Sequence, residues 1–205
     1  MKLYDITRTL SPDMAIYPGN PPVEFEVHEG ETSTHTRIVL GTHTGTHVDA
    51  PRHVFRHGKG VDELSLEKLC GRCRIFDLRG VKEKITIADL EPYAIEKGER
   101  ILVRTTNSER DFEDFYDDFV YLDGDCADYL IEKGICLFGI DYLSVKKKGG
   151  NDHRPHTSLL EKEIIILEGL DLRTISEGFY DLFALPLKLE GIDGASVRAI
   201  LKEVV

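Results

Sequence analysis

The middle of the chain alternates between short apolar segments and segments that carry helix start and stop signals. Strand-like stretches rich in apolar and β-branched residues lie at 73–80, 100–106, 119–124 and 135–141. Helix signals precede and separate them, at 66–71, 86–98 and 125–134, each ending in a glycine. This alternation is typical of βαβ-like units, in which helices cover a sheet. The sequence therefore predicts a mixed α/β fold.

Both ends of the chain add further strand-like segments. Extended structure is predicted at 2–10, 24–27 and 34–48, a strand at 164–169 after a short helix from Ser158, and two tail strands joined around 191–194. No internal repeat, low-complexity tract or Pro/Gly/Ser-rich linker divides the chain. We therefore predict one domain over residues 1–205.

Charge and hydropathy exclude several functional classes. The chain has 37 acidic and 26 basic residues, a formal net charge of −11, and it lacks the basic stripe of a nucleic-acid-binding protein. No apolar run approaches the ~20 residues of a membrane-spanning helix, and the first residues lack the apolar stretch of a signal peptide. We therefore predict a cytoplasmic protein without nucleic-acid or membrane partners.

The four cysteines do not form a recognisable metal or redox motif. Cys70 and Cys73 make a CGRC pair, but Cys126 and Cys136 are not spaced as a second pair. We interpret all four as small hydrophobic residues in a reducing compartment.

The segment HTGTHVDAPRH, residues 43–53, contains three histidines and an aspartate. The two threonines and Gly45 between His43 and His47, followed by Pro51, disfavour the helical HxxxH arrangement of zinc proteases. On an extended backbone, residues 43, 45, 47 and 49 point the same way, so two imidazoles and the Asp49 carboxylate converge. This is the ligand set of a catalytic zinc site with an open position, and it also suits manganese or iron.

His53 lies past the turn expected at Pro51 and can sit beside a metal without binding it. A free imidazole with a pKa near 6.5 can transfer protons at neutral pH. His57 follows in a polar loop and is interpreted as exposed.

The same segment resembles the HxGTHxDxPxH signature of the metal-dependent cyclase family, the family of bacterial kynurenine formamidase and isatin hydrolase. The resemblance extends over most of the chain, through YPGNPP (17–22), GIDYLSV (139–145) and HTSLLEKEIIILEGL (156–170). It implies a single domain of the swivelling β/β/α type, with mixed β-sheet layers and flanking helices. It also implies one or two divalent ions, zinc with manganese as the alternative.

The resemblance further implies a role for each matching residue. The first ion would be held by His43, His47 and Asp49, the second by His156 and Glu168, with Asp49 and Glu168 touching both. His53 would transfer protons, and Tyr17 would contact the substrate. Tyr17 stands where the formamidase has a tryptophan, and its smaller ring can stack on a substrate or simply pack.

The residues of the second half give weaker support on their own. Glu168 ends the apolar run 164–167, and a buried carboxylate there needs a cation or a donor, although a surface strand end is equally compatible. His153 and His156 both lie in a segment interpreted as a flexible loop, which leaves open which of them binds the second ion.

The function implied is hydrolysis of a small amide by metal-activated water. The substrate would be an aryl-formamide such as N-formylkynurenine or a cyclic amide. The alternative is a metal-binding or sensing module without turnover; a structural zinc site ranks last because the cluster contains no cysteine. The resemblance also implies a homo-oligomer, a dimer or tetramer, with the Tyr17 segment over a neighbouring subunit's site.

Overall fold

The strands contain more residues than the helices in the computed structural model, which describes residues 1–204. They are β1 (Leu3–Asp5), β2 (Glu24–Glu29), β3 (Thr34–Val39), β4 (His47–Asp49), β5 (Cys70–Asp77), β6 (Lys84–Ile85), β7 (Arg100–Arg104), β8 (Tyr121–Leu122), β9 (Leu137–Ile140), β10 (Ile165–Glu168), β11 (Gly178–Pro186) and β12 (Gly194–Glu203). The helices are α1 (Leu66–Leu69), α2 (Ile87–Leu90), α3 (Gly124–Lys133) and α4 (Arg154–Glu161).

The main sheet closes on itself. Its strand order is β1-β12-β11-β5-β7-β9-β10-β4, and β4 also pairs with β12, so every strand of this sheet except β1 belongs to a barrel-like ring. The neighbours from β5 through β7 and β9 to β10 are parallel, and the remaining pairs are antiparallel. This architecture confirms the predicted mixed α/β class.

The parallel strands are buried on both faces, as expected for strands of this kind. Leu102 and Leu137 point into the ring, whereas their neighbours Ile101 and Phe138 point outwards into a second core beneath α2, α3 and α4. The helices thus cover one side of the ring.

Two predicted helix boundaries are wrong. The helix predicted over 86–98 ends at Leu90, because Pro92 lacks a backbone N–H and the chain passes through a 3₁₀ turn to Ala94, which has a φ of 48°. The helix predicted from Ser158 begins instead at Arg154, since Pro155 favours the first turn of a helix. The helix ending at Gly134 is confirmed.

The extended segment predicted over 34–48 is also wrong, since it is broken in the middle. β3 pairs with β2 in a separate hairpin, and the chain then turns before β4. Gly45 lies within this turn at a φ of 63°, a left-handed conformation that favours glycine. Within residues 1–204, no helix is both long and apolar enough to cross a membrane.

Candidate metal centre

The short strand β4 places two of the predicted site residues inside the sheet. It pairs with β10, where His47 lies opposite Glu168, and with β12, where Asp49 lies opposite Gly194. His47, Asp49 and Glu168 are all buried. The sheet topology therefore joins segments that are far apart in the sequence.

The Asp49 carboxylate lies among three imidazoles. Its Oδ1 is 2.7 Å from His43 Nδ1 and 3.5 Å from His47 Nε2. Its Oδ2 is 3.7 Å from His156 Nε2. Asp49 is therefore the residue around which the cluster is arranged.

Glu168 closes the cluster from the side of β10. Its Oε2 lies 3.2 Å from His47 Nε2, and its Oε1 lies 3.3 Å from His156 Nε2. The backbone N–H of Val145 donates to Oε1 over 2.7 Å, which fixes the carboxylate. The structure thus brings together every residue that the sequence marked as a metal ligand: His43, His47, Asp49, His156 and Glu168.

Candidate ligand atoms form two groups that share Asp49. One group contains His47, Asp49 and Glu168, and the other contains His43, Asp49 and His53, with the chosen atoms of each group within 4.8 Å of one another. This grouping differs from the ligand sets expected from the sequence, in which His43 and His47 bind the same ion and His53 binds none.

His43 approaches from a turn rather than from the face of a strand. The reversal at Gly45 lets His43 point towards Asp49 from outside β4, so the predicted period-two alignment of residues 43 to 49 is wrong. The same glycine offers its carbonyl to His47, whose Nδ1 lies 3.0 Å away. With Nδ1 as the donor, Nε2 of His47 faces the carboxylates and is the ring nitrogen available to a metal ion.

His156 and His153 occupy different environments. His156 lies in the first turn of α4, not in a loop, with a side chain that is 12% exposed and an Nε2 directed at the carboxylates. His153 precedes the helix, is exposed, and lies at the cavity wall. Position therefore favours His156 as the metal ligand.

The donors in the cluster fit a divalent cation. Among residues 1–204, His47 Nε2 and Asp49 Oδ2 are buried without a hydrogen-bond partner of good geometry. Buried polar atoms without partners are costly, and a cation that accepts both lone pairs would satisfy them. Imidazole nitrogens mixed with carboxylate oxygens suit zinc and manganese.

The electrostatics also favour positive charge at this point. Burial lowers the pKa of His47, yet the carboxylates of Asp49 and Glu168 beside its Nε2 outweigh it and raise that pKa to about 10. Burial raises the pKa of Asp49, but His43 and His47 hold it well below its usual value. The two carboxylates therefore favour positive charge beside them. Protonated imidazoles provide this charge without a metal, and a bound metal ion would provide it instead.

A cavity of about 300 Å³ opens above the cluster. Its walls include Tyr17, Asn20, His43, His53, Val54, Leu143, Ser144, Lys146, His153, His156, Thr157 and Glu168. The wall is therefore part apolar and part polar, which suits a small molecule with an aromatic body and a polar reacting group.

His53 and Tyr17 both line this cavity. The His53 ring lies 4.1 Å from that of His43 and 5.3 Å from that of His156, measured between centroids, and its side chain is 30% exposed. Burial lowers the pKa of His53, which favours the neutral imidazole. Tyr17 packs edge-on against Phe115 at 5.2 Å.

Asp193 is a site residue that the sequence did not indicate. Its Oδ2 lies 2.8 Å from His43 Nε2 and 3.9 Å from His53 Nδ1. An aspartate in the turn 190–194 is ordinarily a turn former, so local sequence offered no signal for it. Only the pairing of β12 with β4 places Asp193 beside the two histidines.

A family model described as putative cyclase matches residues 4–147. The chain belongs to this family. It is 37% identical to the kynurenine formamidase of Bacillus thuringiensis subsp. konkukian (strain 97-27) over 98% of this chain and 97% of that protein. It is 36% identical to the kynurenine formamidase of Salinibacter ruber, covering 99% and 98% of the two chains.

Solved structures show the same fold. A potential metal-dependent hydrolase with cyclase activity superposes with a TM-score of 0.88 at 35% identity, over 98% of each chain. Isatin hydrolase A from Ralstonia solanacearum superposes with a TM-score of 0.86 at 24% identity, over 98% of this chain and 92% of that one. The fold is therefore shared with a potential metal-dependent hydrolase and with an isatin hydrolase.

Proposed function

We propose that this protein is a metal-dependent hydrolase of small amides. The observation that carries the proposal is the buried Asp49 carboxylate, which has three imidazoles within 3.7 Å at the floor of an open cavity. The full-length likeness to proteins named kynurenine formamidase supports the same reaction class.

The proposal assigns the metal ligands as the sequence indicated. One ion would bind to His43, His47 and Asp49, and a second would bind to His156 and Glu168, with both carboxylates shared. The distances between the carboxylate oxygens and the imidazole nitrogens, 2.7 to 3.7 Å, are supporting evidence. Two atoms that bind the same tetrahedral ion at ~2.0–2.2 Å lie roughly 3.3–3.6 Å from each other.

A divalent cation, when bound, supplies Lewis acidity, which lowers the pKa of water and polarises a carbonyl group. The protein provides the surrounding groups. Asp49 and Glu168 provide negative charge at the cavity floor. The backbone N–H of Val145 holds the Glu168 carboxylate in place through a hydrogen bond. His53, at the cavity wall, would accept a proton from the attacking water and deliver it to the leaving nitrogen.

The cavity walls indicate the substrate class. Tyr17, Val54 and Leu143 form an apolar surface next to the metal cluster, which suits the aromatic part of an aryl-formamide such as N-formylkynurenine, or of a cyclic amide. The Tyr17 ring, supported by Phe115, can contact that aromatic part.

We also propose zinc as the metal, with manganese as the alternative. The proposal further includes a homodimeric or tetrameric assembly, a cytoplasmic location and the swivelling β/β/α classification. The mixed nitrogen and oxygen donors support zinc. All four cysteines are free thiols, which is consistent with a reducing compartment.

The test combines metal analysis with hydrolysis assays. The purified protein should contain stoichiometric metal and hydrolyse N-formylkynurenine, a formyl-anilide or isatin, and a chelator should abolish the activity. We expect His53→Ala to lower kcat by about 10²–10⁴-fold with the metal content unchanged. The matched control is His57→Ala, which removes an exposed histidine a few residues away and should leave the rate unaltered.

Chelator-resistant hydrolysis would contradict the metal-dependent reaction. An unaltered rate in the His53→Ala protein would contradict the proton-transfer role alone.

A further inference from the structure

Two carboxylates hold the His43 ring, one at each of its nitrogen atoms. Asp49 Oδ1 lies 2.7 Å from Nδ1, on the side of the metal cluster. Asp193 Oδ2 lies 2.8 Å from Nε2. Asp193 therefore occupies the ring nitrogen that does not face Asp49.

The contact with Asp193 decides which nitrogen of His43 is available to a metal ion. An ionised carboxylate only accepts hydrogen bonds, so Nε2 carries the proton and donates it to Asp193. Nδ1 is then the nitrogen whose lone pair an ion beside Asp49 can use. His43 would therefore bind the ion through Nδ1.

His47 is held by an outer partner in the same manner, but at the other ring nitrogen. Its Nδ1 lies 3.0 Å from the carbonyl oxygen of Gly45, which leaves Nε2 facing the carboxylates of the cluster. An outer acceptor of this kind fixes both the tautomer and the orientation of a ligand histidine. For His43, the residue in that position is Asp193.

The turn that carries Asp193 is tied to the segment that follows β4. The backbone N–H of Ala50 donates to the carbonyl oxygen of Asp193 over 2.9 Å. Two residues earlier, the backbone N–H of Gly191 donates to Asp62 Oδ1 over 2.8 Å. Because the backbone of Asp193 is fixed in this way, its carboxylate can hold a ring in one orientation.

Other roles for Asp193 fit the geometry less well. His53 Nδ1 lies 3.9 Å from Asp193 Oδ2, which is beyond hydrogen-bond distance, so Asp193 is not the group that orients His53. Among residues 1–204, neither group of candidate ligand atoms includes Asp193. Its side chain is 40% exposed, so solvent screens its charge, and its effect comes mainly from orienting the ring.

We propose that Asp193 is a positioning residue of the metal centre, which holds the His43 imidazole so that Nδ1, and not Nε2, binds the ion next to Asp49. This inference rests on the metal site of the proposed function. It adds to that function a residue outside the ligand set that determines how one ligand binds.

The first experiment measures zinc affinity by competition with a chromophoric chelator. Asp193→Ala should weaken zinc binding by about 10–100-fold, the usual effect of removing the outer partner of a ligand histidine. Asp193→Asn keeps an oxygen that can accept from Nε2 and should lose less. The matched control, Glu190→Gln, removes an exposed acid from the same turn and should bind zinc as the wild type does.

The second experiment examines the ligand atoms directly. In crystals of the zinc-loaded wild-type protein, His43 should bind the ion through Nδ1 at about 2.0–2.1 Å, with Nε2 donating to Asp193. The visible absorption spectrum of the cobalt-loaded protein reports the geometry of the ligands. Asp193→Ala should change this spectrum and Glu190→Gln should not, while circular dichroism verifies that each variant is folded.

Zinc affinity of Asp193→Ala within twofold of wild type overturns the inference, and so does an ion bound to His43 through Nε2. A fall in kcat of Asp193→Ala with unaltered zinc affinity would place Asp193 with His53 and also overturns it. The zinc titration and the crystal structure need no substrate. A wild-type protein that binds zinc through His43 Nδ1 but hydrolyses no amide would therefore refute the proposed function and support this inference.

Discussion

Gly194 allows a direct test of how closely the site is packed. It opens β12 opposite Asp49, and the ring of His43 lies against it. A Cβ at this position would lie 2.9 Å from His43 Cε1 and 2.8 Å from the carbonyl oxygen of Val48. Both distances are roughly half an ångström or more shorter than the ~3.5 Å of an ordinary contact.

The substitution Gly194→Ala should therefore displace the His43 imidazole. The Val48 carbonyl belongs to the paired backbone and yields less readily than a side chain, so the imidazole takes up most of the shift. A misplacement of ~1 Å in an active site can reduce the rate by about 100-fold. For a shift of half that size we expect kcat/KM to fall about 10-fold, with overpacking reducing stability by about 1–3 kcal/mol.

The assay is kcat/KM for the best amide substrate, together with bound metal per chain. Gly80→Ala is the control, because a Cβ there meets nothing within 4 Å. If Gly194→Ala retains kcat/KM and metal content within twofold of wild type, the close packing of His43 has no functional importance and this reasoning fails.

Three further predictions concern stability and the thiols. Verified removal of metal should lower Tm by roughly 5–10 °C, since a ligand at 100 times its Kd stabilises by ~2.7 kcal/mol; an unchanged Tm would contradict metal linkage. Asp141→Asn should cost about 2 kcal/mol in urea unfolding, because the buried carboxylate accepts from Thr105 N (2.7 Å), Thr105 Oγ1 (2.8 Å) and Ser108 N (3.1 Å). Burial raises the pKa of Asp141 above its ordinary value of 3.8. The stability that Asp141 contributes is therefore fully present below pH 3.8 and is lost as the pH rises through the folded-state pKa. The loss of unfolding free energy in Asp141→Asn should be smaller at pH 6 than at pH 4, and a larger loss at pH 6 would refute this reasoning. Burial raises the pKa of Cys73 and Cys126 to about 12, so a thiol reagent at pH 8 should modify them only after unfolding, and rapid reaction in the folded protein would show that they are accessible.

The sequence predicted those features that depend on short-range patterns. The alternation of strands and helices in the middle of the chain follows from apolar composition and from glycine stops such as Gly134, which takes the left-handed conformation at the end of α3. The ligand types in HTGTHVDAPRH were also evident, because imidazole and carboxylate groups at that density have few other uses.

The errors arose where tertiary contacts or a single residue override the local pattern. Threonine-rich sequence favours strands throughout 34–48, but Gly45 turns the chain so that His43 meets Asp49 from outside the strand. Pro155 starts α4 early enough to carry His156 on its first turn.

Long-range pairing explains the remainder. The nearness of Asp193 to His43 depends on the pairing of β12 with β4, which closes the ring between the end of the chain and its first quarter. A pattern of a few neighbouring residues contains no information on such a pairing.

The central claim is that imidazole and carboxylate groups around Asp49 bind a divalent cation. Anomalous X-ray diffraction from crystals of the metal-loaded protein, recorded on both sides of the zinc absorption edge, tests it most directly. We predict at least one anomalous peak at about 2.0–2.2 Å from an oxygen of Asp49 and from a nitrogen of His47. Fully loaded crystals with no peak beside Asp49, or with the ion bound elsewhere on the chain, would contradict the claim.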